Sequence, residues 1–264
     1  MTSIFQINHA ELLLLLGLLE LPRPFSLGQG TLPERPLLEG MLNTAMSSLA
    51  ARDLLTLSPE SGEPPLPHPE LATLLRTVAL ADSLLIVASG PPTRLGHISR
   101  FGQRFVLHSS PLPDVHRFQA ISDAKQVTDT MLDLLAPANF REPDNETPVL
   151  LNGEAVLTAF NALHHNDLQM AVWALQKYGS SLAIAQKLVE TIGPKPSRYA
   201  LAAIRHMRQP QPEARGALVI AGRYGGWWAA PAPEHADLMA LWPVGVKGLR
   251  SRVDEFGAWI CEAA

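Results

Sequence analysis

The chain contains SSPLPDVHRFQAI at Ser109–Ile121 and AAPAPEHADLMAL at Ala229–Leu241, two stretches that align without a gap. They share three identical pairs: Pro111/Pro231, Pro113/Pro233 and Ala120/Ala240. Proline has no N–H to donate to a β ladder, so these prolines indicate the connection that leaves a strand. The offset of 120 residues is close to half of the 264-residue chain. The repeat therefore predicts two related halves that share one structural corner.

The order of predicted elements around each copy agrees with a duplication. In the first half, the apolar, β-branched run Ser83–Ser89 predicts a strand. It is followed by a hairpin that turns at Gly102 and Gln103, and then by a strand and a helix. That strand and helix are Val115–Ile121 and Asp123–Leu135. In the second half, the strands 216–224, 226–230 and 236–242 precede an amphipathic C-terminal helix.

We therefore expect an α+β fold with a central, largely antiparallel sheet, flanking helical bundles and quasi-two-fold internal duplication. The first half spans residues 1–137, a linker rich in proline spans 138–148, and the second half spans 149–264. Together they are expected to form one compact globular domain.

Helices are predicted at the start of both halves. The apolar run Leu12–Leu19 is too short to cross a bilayer, which needs roughly 20 residues, so it reads as a buried helix. Two more helices follow Pro36 and Pro69. In the second half, three helices are predicted; their start signals are an Asn166/Gln169 capping pair, Ser180, and Ser197 before RYALAAIRHM.

Charge and cysteine content exclude several classes of protein. The net charge is −4 and the sequence pI is about 6.1, so no global field attracts nucleic acid or an anionic membrane. Between residues 36 and 82 the sequence has only two arginines, Arg52 and Arg76, and six acidic residues. This negative balance disfavours a DNA-binding element. A winged-helix-like regulator stays an alternative on element order alone. The single cysteine, Cys261, excludes an internal disulfide and any CxxC motif.

Motifs for chemistry are missing from the sequence. It contains no GxGxxG, phosphate loop, GxSxG or HExxH. His164 and His165 form the one adjacent histidine pair, but neighbouring residues at a helix junction point in different directions. We predict no catalytic, cofactor-binding or metal-binding residues and no cofactor. An enzyme with an unrecognised site remains the other alternative.

Two features have both a structural and a binding interpretation. Basic residues that include Lys187, Arg198 and Arg205 outnumber acidic residues from 187 to 215, which predicts either a solvated face or a docking face for an acidic partner. Trp227 and Trp228 point to opposite sides of a predicted strand. At most one fills the core on a given sheet face, and the other is either covered by a helix or exposed as a partner anchor.

Three short motifs resemble the EspG family, the cytosolic proteins associated with ESX (type VII) secretion. They are RLGHISRFGQRFVLHSS with the following VHRFQAIS, ARGALVIAGRYGGWWAAPAP, and the early LGLLELPRPFSL. The resemblance spans most of the chain as an order of elements. It implies a central antiparallel sheet, helical bundles beside it and a quasi-two-fold relation between halves.

The resemblance also implies a function. EspG-like proteins are not enzymes; they are cytoplasmic chaperones that bind PE–PPE substrate pairs, cover an apolar tip and keep the substrate soluble before export. The implied partner is a helical secretion substrate, without nucleic-acid binding or membrane insertion. The implied binding surface comprises a sheet face, the loop Gly90, Pro91, Pro92, Thr93 and Arg94, and a second bundle that includes Leu182–Met207.

Overall fold

The structure is a computed structural model that describes residues 3–25, 34–58, 63–89, 95–135, 140–143, 147–223 and 225–262. Eight helices lie in these ranges: α1 His9–Leu18, α2 Arg35–Ala50, α3 Pro69–Ala79, α4 Ala124–Leu135, α5 Gly153–His164, α6 Leu168–Lys177, α7 Leu182–Ile192 and α8 Val246–Cys261. The strands in the same ranges are β1 Ile4–Asn8, β2 Leu55–Thr56, β3 Leu66–Pro67, β4 Ser83–Ser89, β5 Leu95–Phe101, β6 Arg104–Leu112, β7 Val115–Ile121, β8 Val149–Asn152, β9 Ser197–Arg205, β10 Glu213–Ala221, β11 Gly226–Ala232 and β12 His235–Val244.

Ten strands form one sheet in the order β1-β7-β6-β5-β4-β9-β10-β11-β12-β8, and β2 pairs with β3. The pairs β1–β7, β5–β6, β6–β7, β10–β11, β11–β12 and β12–β8 are antiparallel. From either edge inward the order is the same. The edge strand of each half, β1 or β8, leads directly into a helix. Next to it lies the last strand of that half, β7 or β12, followed by the other three strands in descending order of number. The predicted α+β class and internal duplication are confirmed.

The two repeated stretches are matching hairpins. Pro113 and Asp114 form the turn between β6 and β7, and Pro233 and Glu234 form the turn between β11 and β12. Asp114 has a φ of 60°, which an aspartate tolerates better than most residues. The strand register shifts next to both turns, between Ser109 and Leu112 and again between Pro231 and Ala232. The prolines thus stand where the ladder is already interrupted, as proline chemistry requires.

The two edge strands of the sheet, β1 and β8, are absent from the sequence-based prediction. Each is short and ends on an asparagine that caps the following helix. The Asn8 side chain accepts a hydrogen bond from the Glu11 N–H at 2.9 Å, and the Glu11 carboxylate accepts from the Asn8 N–H at 2.8 Å. The Asn152 side chain accepts from the Glu154 N–H at 2.7 Å. These caps satisfy donors that a helix start leaves open, so they fix each strand-to-helix bend.

The prediction of a helix after Ser197 is wrong, because RYALAAIRHM forms most of β9. Leu201 and Ala203 are buried at alternate positions, the period of a strand. An alanine-rich apolar segment suits either structure locally, and its place in the ladder between β4 and β10 decides for the strand. The predicted bundle Leu182–Met207 therefore contributes one helix, α7. Helix α6 is capped by Asp167 rather than Asn166, which has a φ of 62°.

The chain divides into two compact units. One comprises residues 1–85, 95–123 and 204–213, and the other comprises 86–94, 124–203 and 214–264. In the first unit, helices α1 and α3 and the C-terminal end of α2 bury apolar residues against β1, β6 and β7. In the second unit, α5, α6 and α7 pack on β10, β11 and β12. The linear division at residues 138–148 remains a prediction.

The N-terminal helix is buried, as predicted. Leu12, Leu15 and Leu16 lie in the core, and Glu11 is only 1% exposed. The Arg52 guanidinium donates to the Glu11 carboxylate at 2.5 Å and to the carbonyl of Gln6 on β1 at 3.0 Å. Arg52 thereby ties the end of α2 to both α1 and the edge strand. None of the helices in the described ranges is long and apolar enough to span a membrane.

Candidate protein-binding surface

Helices α5, α6 and α7 form a three-helix layer on one face of the sheet in the second unit. Their inner faces carry small and branched residues that pack against the sheet: Val156, Ala159, Leu163, Ala171, Ala174, Leu175, Ala185, Leu188, Val189 and Ile192. Alanines at 171, 174 and 185 are fully buried, which allows the helices to approach closely. The strands contribute Ile220, Trp227, Ala229 and Leu241 to the same core.

Local capping sets the length and direction of these helices. Asp167 accepts from the Met170 N–H at 2.9 Å, and Ser181 accepts from the Ile184 N–H at 3.3 Å. Gly179, with a φ of 102°, follows α6, and Gly193, with a φ of 68°, follows α7. A residue with a positive φ at this point ends a helix at little cost when it is glycine. The sequence therefore specifies two short helices joined by a tight turn.

The outer face of this layer exposes several large apolar side chains. Large hydrophobic side chains at least 40% exposed occur on all three helices: Leu157, Leu168, Met170, Trp173, Leu182 and Ile184. Trp173 is the most exposed of them, at 52%. Scattered single hydrophobic residues are normal on a surface, but a contiguous apolar patch indicates an interaction site. Six such side chains on three neighbouring helices favour that interpretation.

A groove of about 340 Å³ runs between α6 and α7. Its lining residues define the α6–α7 groove: Leu168, Gln169, Val172, Trp173, Gln176, Gln186, Val189 and Glu190. Leu182 lies one turn before Gln186, on the same side of α7 by helical periodicity. The groove thus combines aliphatic side chains and one indole with three side-chain amides and the carboxylate of Glu190. Such a composition suits an amphipathic protein segment better than a small polar ligand.

Positive charge borders the apolar surface. The Lys177 ammonium lies 5.2 Å from the Trp173 ring centroid and 5.2 Å from that of Tyr178. This contact holds the indole and the cation together at the end of α6. Lys187 is exposed on α7 and lines a separate cleft of about 530 Å³ with Ile184 and Thr191. The cations favour partner residues of negative charge around an apolar contact.

The residues predicted for partner binding have different positions in the structure. Gly90, Pro91, Pro92, Thr93 and Arg94 lie outside the described residues. Lys187 is exposed, and Arg198 is exposed on β9, with its guanidinium 5.2 Å from the Phe160 ring centroid. Arg205 pairs with Glu213 at 2.7 Å. Of these three basic residues, Lys187 and Arg198 therefore belong to the second unit, with the exposed helices.

The expectation that one of the two tryptophans is exposed as a partner anchor is wrong. Trp227 is 3% exposed and Trp228 is 4% exposed. Trp227 fills the core under α5–α7, and Trp228 points to the other sheet face, where Phe256 of α8 covers it. Each face of this strand therefore has its own helical cover. Of the two alternatives for the second tryptophan, coverage by a helix is the one observed.

The described part of the chain contains no candidate metal site. No group of three or more His, Cys, Asp or Glu side chains there could hold an ion. His164 and His165 are both exposed, at the junction of α5 and α6 where the sequence places them, and their rings meet edge-on at 5.8 Å. This geometry does not converge on a shared ligand.

Sequence reasoning missed the exposed apolar residues themselves. The signal was present, because α6 carries apolar side chains at 168, 170, 171, 172, 173, 174 and 175, more than one buried face can use. In α7, Leu182 and Ile184 likewise lie outside the buried set of Ala185, Leu188, Val189 and Ile192. A helix that is apolar beyond its buried stripe is the pattern to search for.

No protein-family model and no curated protein matches the chain. Among solved structures, it is similar to EspG5, the type VII secretion system chaperone of Mycobacterium tuberculosis, solved in complex with a PE25–PPE41 dimer. The likeness covers 98% of this chain and 96% of that chain, with a TM-score of 0.68 and 13% sequence identity. The expected EspG-like fold is confirmed. The winged-helix alternative does not fit a ten-stranded sheet.

Proposed function

We propose that this chain, which has the EspG fold, is a non-enzymatic cytoplasmic chaperone of the type VII (ESX) secretion type. It binds an exported helical protein of the PE–PPE kind and keeps it soluble. The observation that carries the proposal is the set of exposed apolar side chains on α5–α7, of which Trp173 is the most exposed. The complex reported for EspG5 supports a partner of this class.

The chemistry of the surface indicates what the partner presents. The α6–α7 groove accepts an amphipathic helix through Leu168, Val172 and Trp173. Lys177, beside the indole, favours an acidic side chain next to the apolar residues of that helix. Burying the same apolar residues on the partner removes them from water, which is the physical basis of the solubilising action.

Trp173 is the expected energetic centre of the contact. Tryptophan is enriched among the few residues that dominate binding free energy, whose truncation raises Kd by a factor of about 30 or more. Because Trp173 is half-exposed without a partner, its replacement removes contact area without opening a core cavity. Binding and folding can therefore be separated at this position.

The test is coexpression of the chain with each PE–PPE-like pair of its own genome, followed by calorimetric titration of the purified components. We expect a one-to-one complex and a partner that stays soluble only with the chain present. Trp173→Ala should weaken binding at least tenfold. The control is Leu66→Ser, which alters an even more exposed apolar residue, in the first unit.

If Trp173→Ala and Leu66→Ser weakened partner binding equally, the partner would not be bound through Trp173. Failure of every such pair to bind would overturn the proposed function itself.

A further inference from the structure

Four histidines form a row on the sheet face that the N-terminal helices cover. Nδ1 of His9, the first residue of α1, lies 3.1 Å from Nε2 of His116 on β7. Nδ1 of His116 lies 3.0 Å from Nε2 of His108 on β6. The ring of His108 then stacks 5.9 Å from that of His97 on β5. We call the three hydrogen-bonded residues, His9, His116 and His108, the histidine chain.

The histidine chain fastens one corner of the first unit. Its outer member, His9, also donates its backbone N–H to the carbonyl of Asp114, in the β6–β7 turn, at 2.9 Å. Ile7 of β1 lies directly opposite His116, and the ring of Phe118 stacks on His108 at 4.6 Å. The His9–His116 contact thus joins the β1–α1 corner to the β6–β7 hairpin, and the His116–His108 contact links the two strands of that hairpin.

Counting protons shows what this chain of rings tolerates. A neutral imidazole has one N–H and one lone pair, so three neutral rings make both hydrogen bonds with one N–H in each contact. One added proton is accommodated on any ring, because the other two can adopt the tautomers that accept or relay it. A second added proton always sets two N–H groups against each other. Whichever rings carry the two protons, one of the two hydrogen bonds must then break.

We propose that the histidine chain is a proton-sensitive latch, closed with at most one extra proton and opened by the second. Opening releases β1 and the start of α1 from the β6–β7 hairpin and exposes the apolar face beneath them. The latch lies wholly within the first unit, and its operation does not depend on the partner bound by the second.

The surrounding charges support a closed, neutral chain near neutral pH. Burial lowers the pKa of His108 to about 3, with help from His116 and His97. Burial and His9 lower the pKa of His116 to about 4, against an opposing effect of Asp114. On the covering helices, Glu11 and Arg52 are paired with each other, and Glu70 and Arg76 of α3 are exposed.

The proposal is tested on the intact, ¹⁵N-labelled chain between pH 7.5 and 5.0. Side-chain nitrogen shifts count the protons on each histidine, and hydrogen exchange, corrected for its intrinsic pH dependence, reports the protection of amides 4–18. We expect His108 and His116 to stay neutral over this range. Protection of residues 4–18 should fall by up to about 100-fold per pH unit below pH 6, since opening takes up two protons.

Variants separate the latch from general acid sensitivity. His116→Gln keeps a hydrogen-bonding side chain but removes one of the two rings that take up a proton on opening, and it should reduce the slope to about tenfold per pH unit. The control His165→Gln alters an exposed histidine and should leave the slope unchanged. Two outcomes would overturn the latch: protonation of His108 and His116 near pH 6.5 with constant protection of residues 4–18, or an unchanged slope in His116→Gln.

Discussion

The ring of Trp228 meets that of Phe256 edge to face, with 5.7 Å between the centroids. This contact joins β11 to the C-terminal helix on the sheet face opposite α5–α7. Trp173, by contrast, leaves about half of its surface in water. Two tryptophans of one chain thus serve different purposes, one inside a core and one outside it.

Trp228→Ala should lower the free energy of unfolding by about 3–5 kcal/mol, because it leaves a large cavity between sheet and helix. Trp173→Ala should change it by no more than about 1 kcal/mol, as expected for a surface position. Urea unfolding followed by circular dichroism measures both. Similar losses in the two variants would contradict the assignment of Trp173 to the surface.

Arg52→Met should destabilise the fold by about 2 kcal/mol, because it leaves the buried Glu11 carboxylate without its cation. Half-exposed Arg52 keeps the expected loss below that of a fully buried pair. The control is Arg35→Met, which removes an exposed i,i+4 pair with Glu39 and should cost less than about 0.5 kcal/mol. Equal urea midpoints for the two variants would show that the Arg52–Glu11 pair stabilises the fold no more than the exposed Arg35–Glu39 pair does.

Gly222→Ala should be strongly destabilising, by about 2 kcal/mol or more. A Cβ there would overlap the backbone of Ile192, at the end of α7, and neither backbone can move freely. Gly40→Ala is the opposite case: it adds a methyl group in open space within α2 and should stabilise by about 0.5–1 kcal/mol. Thermal unfolding of the pair should therefore shift Tm in opposite directions.

Global stability should fall as the solution is acidified from pH 6.5 towards pH 4. Burial lowers the pKa of His97 and His116 to about 4 and that of His108 to about 3, from an ordinary 6.5. The unfolded chain binds more protons in this window, so each histidine contributes stability that is complete above pH 6.5 and lost below it. The loss reaches at most about 1.4 kcal/mol per pH unit for each histidine.

Urea midpoints at pH 7.5, 6.0 and 5.0 measure this dependence. His97→Asn should make the slope shallower, whereas His235→Asn, at an exposed position, should not. A wild-type midpoint that does not change over this range would show that the three buried rings do not resist protonation.

Strands between clear turn signals were predictable from the sequence. The bounds of β4 and β7 agree with the predicted segments, because apolar and β-branched residues end at turn-forming residues there. The same reasoning missed β1 and β8, which are short and lead directly into a helix. It also assigned β9 to a helix, because only pairing with distant strands determines its structure.

The histidine chain shows how far register can be inferred. Counting outward from the turn at Gly102 and Gln103 places His97 opposite His108, as observed. The next hairpin cannot be counted in this way, because its register shifts between Ser109 and Leu112. The approach of His9 to His116 depends on β1, which the sequence did not reveal. Histidines without motif spacing were therefore brought together by tertiary pairing alone.

Arg52 has an effect beyond its ion pair, since its guanidinium also occupies the carbonyl of Gln6 on the outermost strand. An edge strand with free carbonyls is a template for aggregation, because another chain can add to it. At Gln6 that acceptor is already used by a charged side chain that an incoming strand would have to displace. Arg52, which neutralises the buried Glu11 carboxylate, therefore also hinders the addition of a strand from another chain at this edge of the sheet.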